Sequence, residues 1–599
     1  MKITLGRFEA SLASLALAAM AIMPLFEIPL RVFKTGLPGS GPFVQHLTLW
    51  VGFLGAALAA REGRLLALAT GSYLPAGRIR ITAGVFSALV SSAIATVLCR
   101  ASLALVLAER AAGDVLAAGV PVWVAQLVLP LSFGLIALRL AWRAPGGATG
   151  RAIAGLGILA GLAIGQFPEL LVSRPAWPGL AVILLATALG GPLFALLGGV
   201  ALLFFLRDGV PIASVPVETY RLAVSPTLAA IPLFTLSGFL LSEGRASERL
   251  LRVFRALFGW IPGGTAVVCA LVCAFFTAFT GGSGVTILAL GALLYQALQR
   301  ESYSERFSLG LLTAGGSLGL LFPPALPLIL YGIVARIPIE DLFLGGLVPG
   351  LLLVALVAAW GLREGIVGRA PRTAFVWREV RAALWGGKWE LLLPVIVLAA
   401  IFSGFATIVE ASALTVLYTF ITQCFVQRDL SVRRDLPRVF HQCVVLVGGV
   451  LVVLGTAMGL SSYLVDAQVP TQLVEWTQTH VHSPIMFLLG LNLFLLVVGC
   501  LMDIFSAIVV VVPLIVPIGR AFGVDPVHLG IIFIANLELG YLTPPVGLNL
   551  FLASYRFERP LLVVARAALP MLAILGFGVL LITYVPWLTT GLLWLLGRG

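Results

Sequence analysis

Residues 319–324 read Gly-Leu-Leu-Phe-Pro-Pro, and residues 540–545, 221 positions further along, read Gly-Tyr-Leu-Thr-Pro-Pro. Both strings lie inside apolar stretches. Consecutive prolines remove two backbone donors and interrupt a helix, so each string predicts a broken helix in an apolar environment. The recurrence of the string also predicts an internal structural repeat.

An interrupted apolar stretch precedes each string. The first covers residues 266–298 and is broken at 281–284, and the second covers 485–518 and is broken around 499–503. In both copies the break lies 41 residues before the first proline of the string, measured from Gly282 and from Asp503. A stretch of about 33 residues is too long for one ordinary span, so each predicts a re-entrant helical hairpin. The alternative is two kinked structural helices that share a short motif by chance.

The composition is that of a chain surrounded by lipid. Of its 599 residues 60% are hydrophobic and 11% are charged, and the mean hydropathy is +1.08. Roughly fifteen apolar segments are long enough to cross a hydrocarbon core as helices. The predicted fold class is therefore an all-α polytopic membrane protein. The net charge of +12 does not indicate nucleic-acid binding, because the arginines gather in short loops, as they do on the cytoplasmic side of membrane proteins.

Arginine placement and loop composition divide the chain into three predicted domains. Residues 1–145 predict a four-helix membrane unit, residues 146–175 a linker and a connecting transmembrane helix, and residues 176–599 the part that carries the repeats. The four spans of the first unit are predicted near 9–31, 44–61, 83–108 and 121–143, and a Pro- and Gly-rich linker at 143–151. A cleaved signal peptide is the alternative for the N-terminal run, but its length favours a retained helix. The topology of residues 391–426 stays open between two crossing helices and a broken pair.

Oxygen-bearing residues flank the predicted breaks. Unpaired backbone at membrane depth is tolerated only where protein, water or ions satisfy it, and small hard cations prefer oxygen ligands. We therefore predict one Na⁺ site in each repeat. The predicted ligands are Gly282, Ser283, Gly316 and Ser317 in the first repeat, and Asp503 and Thr543 in the second. The simpler interpretation is that these hydroxyls cap helices or bond back to them; Asp503 is the strongest candidate, because an ionisable group in an apolar stretch is costly.

A substrate anion would need hydrogen-bond donors, which half-helix N-termini and arginines supply. The predicted substrate-binding residues are Gly284, Thr286, Arg336, Asn536 and Arg556. The two arginines follow the proline pairs at similar distances, although arginines that close a span usually reach toward the interface. Two further acidic residues, Glu410 and Glu538, lie in apolar surroundings and are candidates for proton relays or cation ligands. The alternative for Glu410 is a structural hydrogen bond at a helix kink, and the alternative for Glu538 is a position at the membrane interface.

The sequence does not indicate an enzyme. It contains no CxxC, HExxH or GxxxxGK[ST] motif. The GxSxG string at 315–319 lies in an apolar helical segment, without the strand that a nucleophile elbow requires. A membrane-embedded enzyme with Asp503 and Glu410 as acid and base would lack a histidine partner and a metal constellation.

Taken together, these motifs resemble those of tripartite ATP-independent periplasmic (TRAP) transporters in which the small and large membrane subunits are fused. The small-subunit likeness lies at residues 50–63, Trp-Val-Gly-Phe-Leu-Gly-Ala-Ala-Leu-Ala-Ala-Arg-Glu-Gly. The large-subunit likeness lies at residues 231–234, 261–264, 282–284, 318–324, 404–411, 525–531 and 536–547. The chain departs from the family where an acidic pair is replaced by Gln45-His46, and where the serine after the first proline pair is replaced by Ala325.

The resemblance implies a multi-pass protein of the bacterial inner membrane with inverted repeats, two hairpins, two broken helices and an elevator mechanism. It implies Na⁺-driven uptake of a small organic acid, such as a carboxylate, delivered by a periplasmic substrate-binding protein. The alternatives are a stand-alone or proton-coupled elevator carrier that needs no binding protein, and a scaffold subunit of a larger complex. The four-helix N-terminal unit is evidence against a stand-alone carrier.

Overall fold

The computed structural model describes residues 2–33, 36–67, 75, 77–370, 374–404, 406–544 and 547–598. These residues are predominantly helical, and a small antiparallel hairpin of β1 (Val115–Ala117) and β2 (Val120–Pro121) lies among the helices. In this described part, 11 helices are long and apolar enough to cross a membrane, and shorter apolar helices of 10–17 residues accompany them. The predicted all-α polytopic class is confirmed. The long helices are fewer than the roughly fifteen predicted, because several apolar segments are divided into shorter helices.

The chain forms two compact units, which interrupt one another along the sequence. The first comprises Met1–Leu233 and Phe440–Pro470, and the second Phe234–Val439 and Thr471–Gly599. These units do not follow the boundaries at 145 and 176, so the three-part domain division remains a prediction.

The first unit contains nine helices in its N-terminal part and most of a later one. Their bounds are α1 (Lys2–Val32), α2 (Ser40–Glu62), α3 (Arg78–Ala112), α4 (Val122–Gln126), α5 (Val128–Arg143), α6 (Gly147–Gln166), α7 (Trp177–Ala188), α8 (Leu193–Arg207), α9 (Ser214–Ala223) and, from the later segment, α20 (Leu436–Asp466). A 3-10 turn occupies Pro168–Leu170. The four spans predicted before residue 145 coincide with α1, α2, α3 and the pair α4–α5.

The connecting helix α6 packs along the central helix α3 through a stripe of small residues. A Cβ at Gly157 would lie 2.2 Å from the carbonyl oxygen of Leu89, and one at Gly161 would lie 2.4 Å from that of Ala93. Close approach at small residues is how helices associate in membranes, where lipid gives no hydrophobic drive between them. The predicted linker at 143–151 is wrong in its second half, because α6 is already helical from Gly147 and uses its glycines for this contact.

The remaining helices belong to the second unit, apart from the first residues of α10 and the first two residues of α21. Their bounds are α10 (Ala230–Glu243), α11 (Ala246–Phe258), α12 (Gly264–Thr280), α13 (Ser283–Arg300), α14 (Glu305–Gly315), α15 (Leu326–Ala335), α16 (Ile339–Val367), α17 (Trp377–Gly386), α18 (Lys388–Phe402), α19 (Ile408–Ile421), α21 (Val469–His480), α22 (Pro484–Leu501), α23 (Ile504–Ala521), α24 (Pro526–Gly540), α25 (Leu548–Phe557), α26 (Leu561–Tyr584) and α27 (Trp587–Leu595).

The predicted interruptions are confirmed in both repeats. The stretch 266–298 forms the packed pair α12–α13, with its break at Gly281–Gly282, and the stretch 485–518 forms α22–α23, with its break at Met502–Asp503. Each proline string lies in a non-helical segment, between α14 and α15 in the first repeat and between α24 and α25 in the second. Pro545, the second proline of the later string, lies outside the described residues.

Residues 391–426 form two helices that pack against each other. They comprise most of α18, then α19, which ends in a π-helical turn at Thr422–Val426. The Tyr418 hydroxyl donates to the carbonyl oxygen of Trp389 at 2.8 Å and joins the pair. The helix axis also bends by 60° between α17 and α18, at Gly387.

Candidate functional site

The first site lies where the hairpin α12–α13 meets the break after α14. Gly281 ends α12 in the left-handed conformation, with φ +65°, which glycine adopts without steric cost. A Cβ on Gly281 would lie 2.3 Å from the side chain of Leu326, the first residue of α15. The tip of the hairpin therefore lies directly against the start of α15, at the break of the broken helix.

Threonine hydroxyls line the inside of this junction. The Thr277 hydroxyl lies 2.9 Å from the carbonyl oxygen of Gly316 and 2.8 Å from the hydroxyl of Thr286. Thr280 contributes a further hydroxyl, 3.5 Å from that of Thr286. Thr277, Thr280 and Thr286 are all buried. Three hydroxyls and the carbonyl of Gly316 thus form a buried cluster of oxygen atoms.

Two of the predicted first-repeat ligands, Ser283 and Gly316, lie close together here. A Cβ on Gly316 would lie 3.3 Å from the carbonyl oxygen of Ser283, so the hairpin and the broken helix contact each other through these two predicted residues. Ser317 follows Gly316 directly and is fully buried, and its hydroxyl bonds back to the carbonyl oxygen of Ala314 at 3.2 Å. Backbone and hydroxyl oxygens are the ligands that a hard cation such as Na⁺ would use.

The two hairpins differ at the N-terminus of their second helix. Gly282 precedes α13 and offers no side-chain cap, so the first amide groups of α13, those of Ser283 and Gly284, have no side-chain acceptor there. In the second hairpin the side chain of Asp503 caps α23, accepting from the amides of Phe505 at 3.0 Å and Ser506 at 3.1 Å. The N-terminus of α13 therefore lacks the carboxylate acceptor that Asp503 supplies to α23.

The carboxylate of Asp503 is satisfied largely by its own helix. Its Oδ2 atom accepts from the Ser506 hydroxyl at 2.5 Å, in addition to the two amide contacts at Oδ1. The structure thus shows a helix-cap role for Asp503. The cation role is an additional prediction, in which the remaining lone pairs of the carboxylate would take part.

Backbone contacts hold the second break against its hairpin. The Gly547 amide donates to the carbonyl oxygen of Cys500 at 3.1 Å, and the amide of Ile504 donates to the Tyr541 hydroxyl at 2.6 Å. Thr543, a predicted ligand, lies in this turn and is half-buried, with its hydroxyl 3.2 Å from the carbonyl oxygen of Leu539. The second repeat therefore reproduces the junction of hairpin and broken helix.

The predicted substrate-binding residues do not form a single cluster. Thr286 lies inside the first junction, and Gly284 lies beside it, facing Leu552. Arg336 is exposed and ends α15 with φ +56°. Arg556 lies over Gly291, in the third turn of α13 beyond the break. The structure therefore places the arginines away from the hairpin tip.

The side chain of Asn536 takes part in a buried hydrogen-bond network between helices and does not face a helix break. Its amide nitrogen donates to Asn492 of α22 at 2.5 Å and to the carbonyl oxygen of Ile532 at 2.9 Å. Asn492 also accepts from the hydroxyl of Thr583 of α26, at 3.2 Å. All three side chains are buried, so this network joins α24 to two neighbouring helices. A substrate role for Asn536 remains a prediction.

Glu410 forms a capping box with Thr407 at the start of α19. The Thr407 hydroxyl accepts from the Glu410 amide, and the Glu410 carboxylate accepts from the Thr407 amide at 2.8 Å. This is the structural role left open by the sequence, and the motif Thr-x-x-Glu signals it.

Thr277 and Asn549 lie beside the helix breaks but were not among the residues predicted from the sequence. Thr277 lies one turn before the break in α12, and Asn549 lies in the first turn of α25, where its amide nitrogen reaches the carbonyl oxygen of Thr313 at 3.1 Å. A signal for Asn549 was present, because a polar residue just after a predicted helix break is a candidate ligand. No group of three or more His, Cys, Asp or Glu residues that could hold a metal ion occurs in the described part of the chain.

Comparison with known proteins covers both parts of the chain. Residues 179–588 match the model of the tripartite ATP-independent periplasmic transporter DctM component, and residues 20–145 match the DctQ component. The isethionate TRAP transporter permease protein DctMQ of Oleidesulfovibrio alaskensis is 35% identical over 481 residues, covering 78% of this chain and 74% of that protein. The C4-dicarboxylate TRAP transporter large permease protein DctM of Vibrio cholerae is 33% identical over 427 residues, covering 67% and 94%.

Among solved structures, the YdaH transporter of Alcanivorax borkumensis is similar at a TM-score of 0.44 and 16% sequence identity, covering 63% of this chain and 88% of that one. The relatives are named as transporter permeases and not as enzymes, and the multi-pass chain is an inner-membrane protein. The two matched components in one polypeptide show that this chain belongs to the tripartite ATP-independent periplasmic (TRAP) transporter family, as a fused permease of DctQ and DctM components.

Proposed function

We propose that this permease imports a small organic acid by Na⁺ symport, and that a periplasmic substrate-binding protein delivers the substrate. The observation that carries the proposal is the junction of each hairpin with a broken helix, where Thr277, Ser283 and Gly316 bring hydroxyl and carbonyl oxygens together in the first repeat. Opened helix ends beside buried oxygens are how secondary transporters coordinate Na⁺ near the bilayer midplane. The predicted Na⁺ ligands of both repeats belong to this proposal.

The substrate class follows from the uncapped start of α13. Its free amides, at Ser283 and Gly284, would receive the acid group of the substrate, because a helix N-terminus carries partial positive charge. The names of the relatives include a dicarboxylate and isethionate, whose acid group is a sulfonate. A carboxylate or a sulfonate could accept from the same amides, and the proposal covers both groups.

The proposed mechanism is an elevator movement, in which the two hairpins and the two broken helices carry the substrate as one body. The direct contact of the Gly281 tip with Leu326 of α15 supports this, because hairpin and broken helix would have to move together to keep it. Na⁺ bound at the junction would stabilise that contact in the substrate-loaded state.

The test is uptake of labelled organic acids into proteoliposomes that contain the purified chain. Uptake is compared with and without candidate binding proteins, and with an inward Na⁺ gradient, an inward proton gradient or neither. We expect uptake to require both a binding protein and the Na⁺ gradient. Uptake without any binding protein would establish a stand-alone carrier instead, and uptake that follows the proton gradient alone would contradict Na⁺ coupling.

A further inference from the structure

Glu538 is a buried acid for which the structure shows no counter-charge. It lies near the end of α24 and is 1% exposed. Both of its carboxylate oxygens are buried without a hydrogen-bond partner, as judged within the described part of the chain. An ionised carboxylate is costly to bury unless it is paired, so this position requires a positive partner when the carboxylate is charged.

Two other polar side chains meet near this carboxylate. Glu538 lies beside the Ser317 hydroxyl, although the contact does not meet hydrogen-bond geometry. On its other side, Ser317 lies 3.4 Å from the amide nitrogen of Asn549. The amide oxygen of Asn549 is itself buried without a partner. Ser317 belongs to the first repeat and the other two to the second, so the group lies where the two broken helices meet.

The unpartnered atoms are all oxygens, so their missing partner is either a cation or a proton on the carboxylate. A cation satisfies a carboxylate and an amide oxygen at once, whereas the Asn549 amide nitrogen already donates elsewhere, to Thr313 and Ser317. The single carboxylate balances one positive charge, and the described residues hold no acidic cluster for a divalent or transition metal. Hard oxygen ligands with one negative charge suit a monovalent hard cation.

We propose that Glu538, Asn549 and Ser317 form a further Na⁺ site at the meeting point of the two broken helices. The site shares Ser317 with the first-repeat junction, but its charge lies on Glu538. It rests on the proposed Na⁺ symport and adds one Na⁺ to the ions that the two junctions would bind. Because its ligands come from both repeats, its occupancy would join them in the loaded state.

The experiment measures how Na⁺ stabilises the purified full-length chain against heat in detergent. NaCl is titrated while choline chloride holds the ionic strength constant, and the midpoint of the rise in Tm is recorded. The variants are Glu538→Gln, which keeps the shape and removes the charge, and Asn549→Leu, which removes the amide. Glu475→Gln, at an exposed position of α21, is the matched control.

We expect Glu538→Gln to raise the Na⁺ midpoint by about tenfold or more, a loss of the size seen when metal-site groups are removed. Asn549→Leu should raise the midpoint by a smaller factor, and the control should match the parent. An unchanged midpoint in Glu538→Gln would overturn the proposal. The titration is repeated at two pH values. A Glu538→Gln variant whose Tm no longer depends on pH but whose Na⁺ midpoint matches the parent would also overturn the proposal, because the carboxylate would then hold a proton.

Uptake in proteoliposomes separates this proposal from the proposed function. If the parent requires Na⁺ and Glu538→Gln retains the same Na⁺ dependence, the further site is wrong and Na⁺ symport stands. If neither the parent's stability nor its uptake responds to Na⁺, both proposals are wrong. Should Glu538→Gln elute as an aggregate in size-exclusion chromatography, Asn549→Leu decides the outcome by the same midpoint.

Discussion

The hydroxyl of Thr277 lies 2.9 Å from the carbonyl oxygen of Gly316 and ties the first hairpin to the break in the following helix. The two residues are 39 positions apart in the sequence. The contact satisfies a carbonyl that the helix break would otherwise leave without a partner, and it holds the oxygens of the first junction together.

Removal of this hydroxyl should loosen the first junction. Thr277→Val keeps the shape of the side chain and should cost about 1 kcal/mol of stability. It should also raise the Na⁺ concentration for half-maximal uptake several-fold, measured in proteoliposomes. The matched control is Thr415→Val, whose buried hydroxyl bonds only back along its own helix, to Ala411 at 2.6 Å. Equal Na⁺ dependence in the two variants would remove Thr277 from the proposed site.

Substitutions at Asp503 should separate its capping role from a cation role. Asp503→Asn keeps an oxygen that can accept from the first amides of α23, whereas Asp503→Ala removes it and should cost about 1 kcal/mol. If the carboxylate also binds Na⁺, both variants should weaken Na⁺-driven uptake, and Asp503→Asn should do so with little change in Tm.

A capping aspartate outside the junctions provides the control for this comparison. Asp525 caps α24 in the same way, accepting from the amides of Val527 at 2.8 Å and His528 at 3.0 Å. Asp525→Asn should leave the Na⁺ dependence of uptake as in the parent. If Asp503→Asn also shows the Na⁺ dependence of uptake seen in the parent, Asp503 acts only as a helix cap and does not bind Na⁺.

Two adjacent glycines of α20 should respond differently to the same substitution. A Cβ on Gly448 would lie 2.0 Å from the carbonyl carbon of Gly55 in α2, whereas one on Gly449 would meet only the carbonyl oxygen of Arg64, at 3.7 Å. Gly448→Ala should therefore force α2 and α20 apart and cost about 1–3 kcal/mol or more, and Gly449→Ala should not. Thermal unfolding of both variants tests this contact, and equal Tm values would contradict it.

The ion-paired cluster at Arg249 should be sensitive to loss of its cation. Arg249 lies 2.6 Å from the fully buried Glu390 and 2.8 Å from Asp429. Arg249→Met would leave buried carboxylates without a counter-charge and should cost about 3–5 kcal/mol. The pair of Arg255 and Glu301 is more exposed, so Arg255→Met should cost at most about 1 kcal/mol. A similar decrease in Tm in both variants would contradict the prediction that the cost of removing the arginine depends on the burial of its ion pair.

The breaks were predictable from the sequence because their causes are local. Glycines at 281–282 and the prolines at 323–324 interrupt helices wherever they lie in the chain, since they act through φ and through missing donors. The capping box of Thr407 and Glu410 is equally local, although the apolar surroundings of Glu410 also allowed a role in binding a cation or relaying a proton. The sequence did not predict which segments form each compact unit. The part of α20 from residue 440 onward belongs to the first unit, because of contacts between distant residues such as Gly448 and Gly55.

Apolar length, glycine and proline act over a few residues, so the sequence alone predicts that the chain lies in a membrane, where its helices break, and that the breaks recur in two repeats. Which oxygens meet depends on the tertiary structure. It brought Thr277 to Gly316 and Asn549 to Ser317, and it turned Asn536 toward Asn492. Such pairs are far apart in the chain, and their contact depends on how whole helices pack.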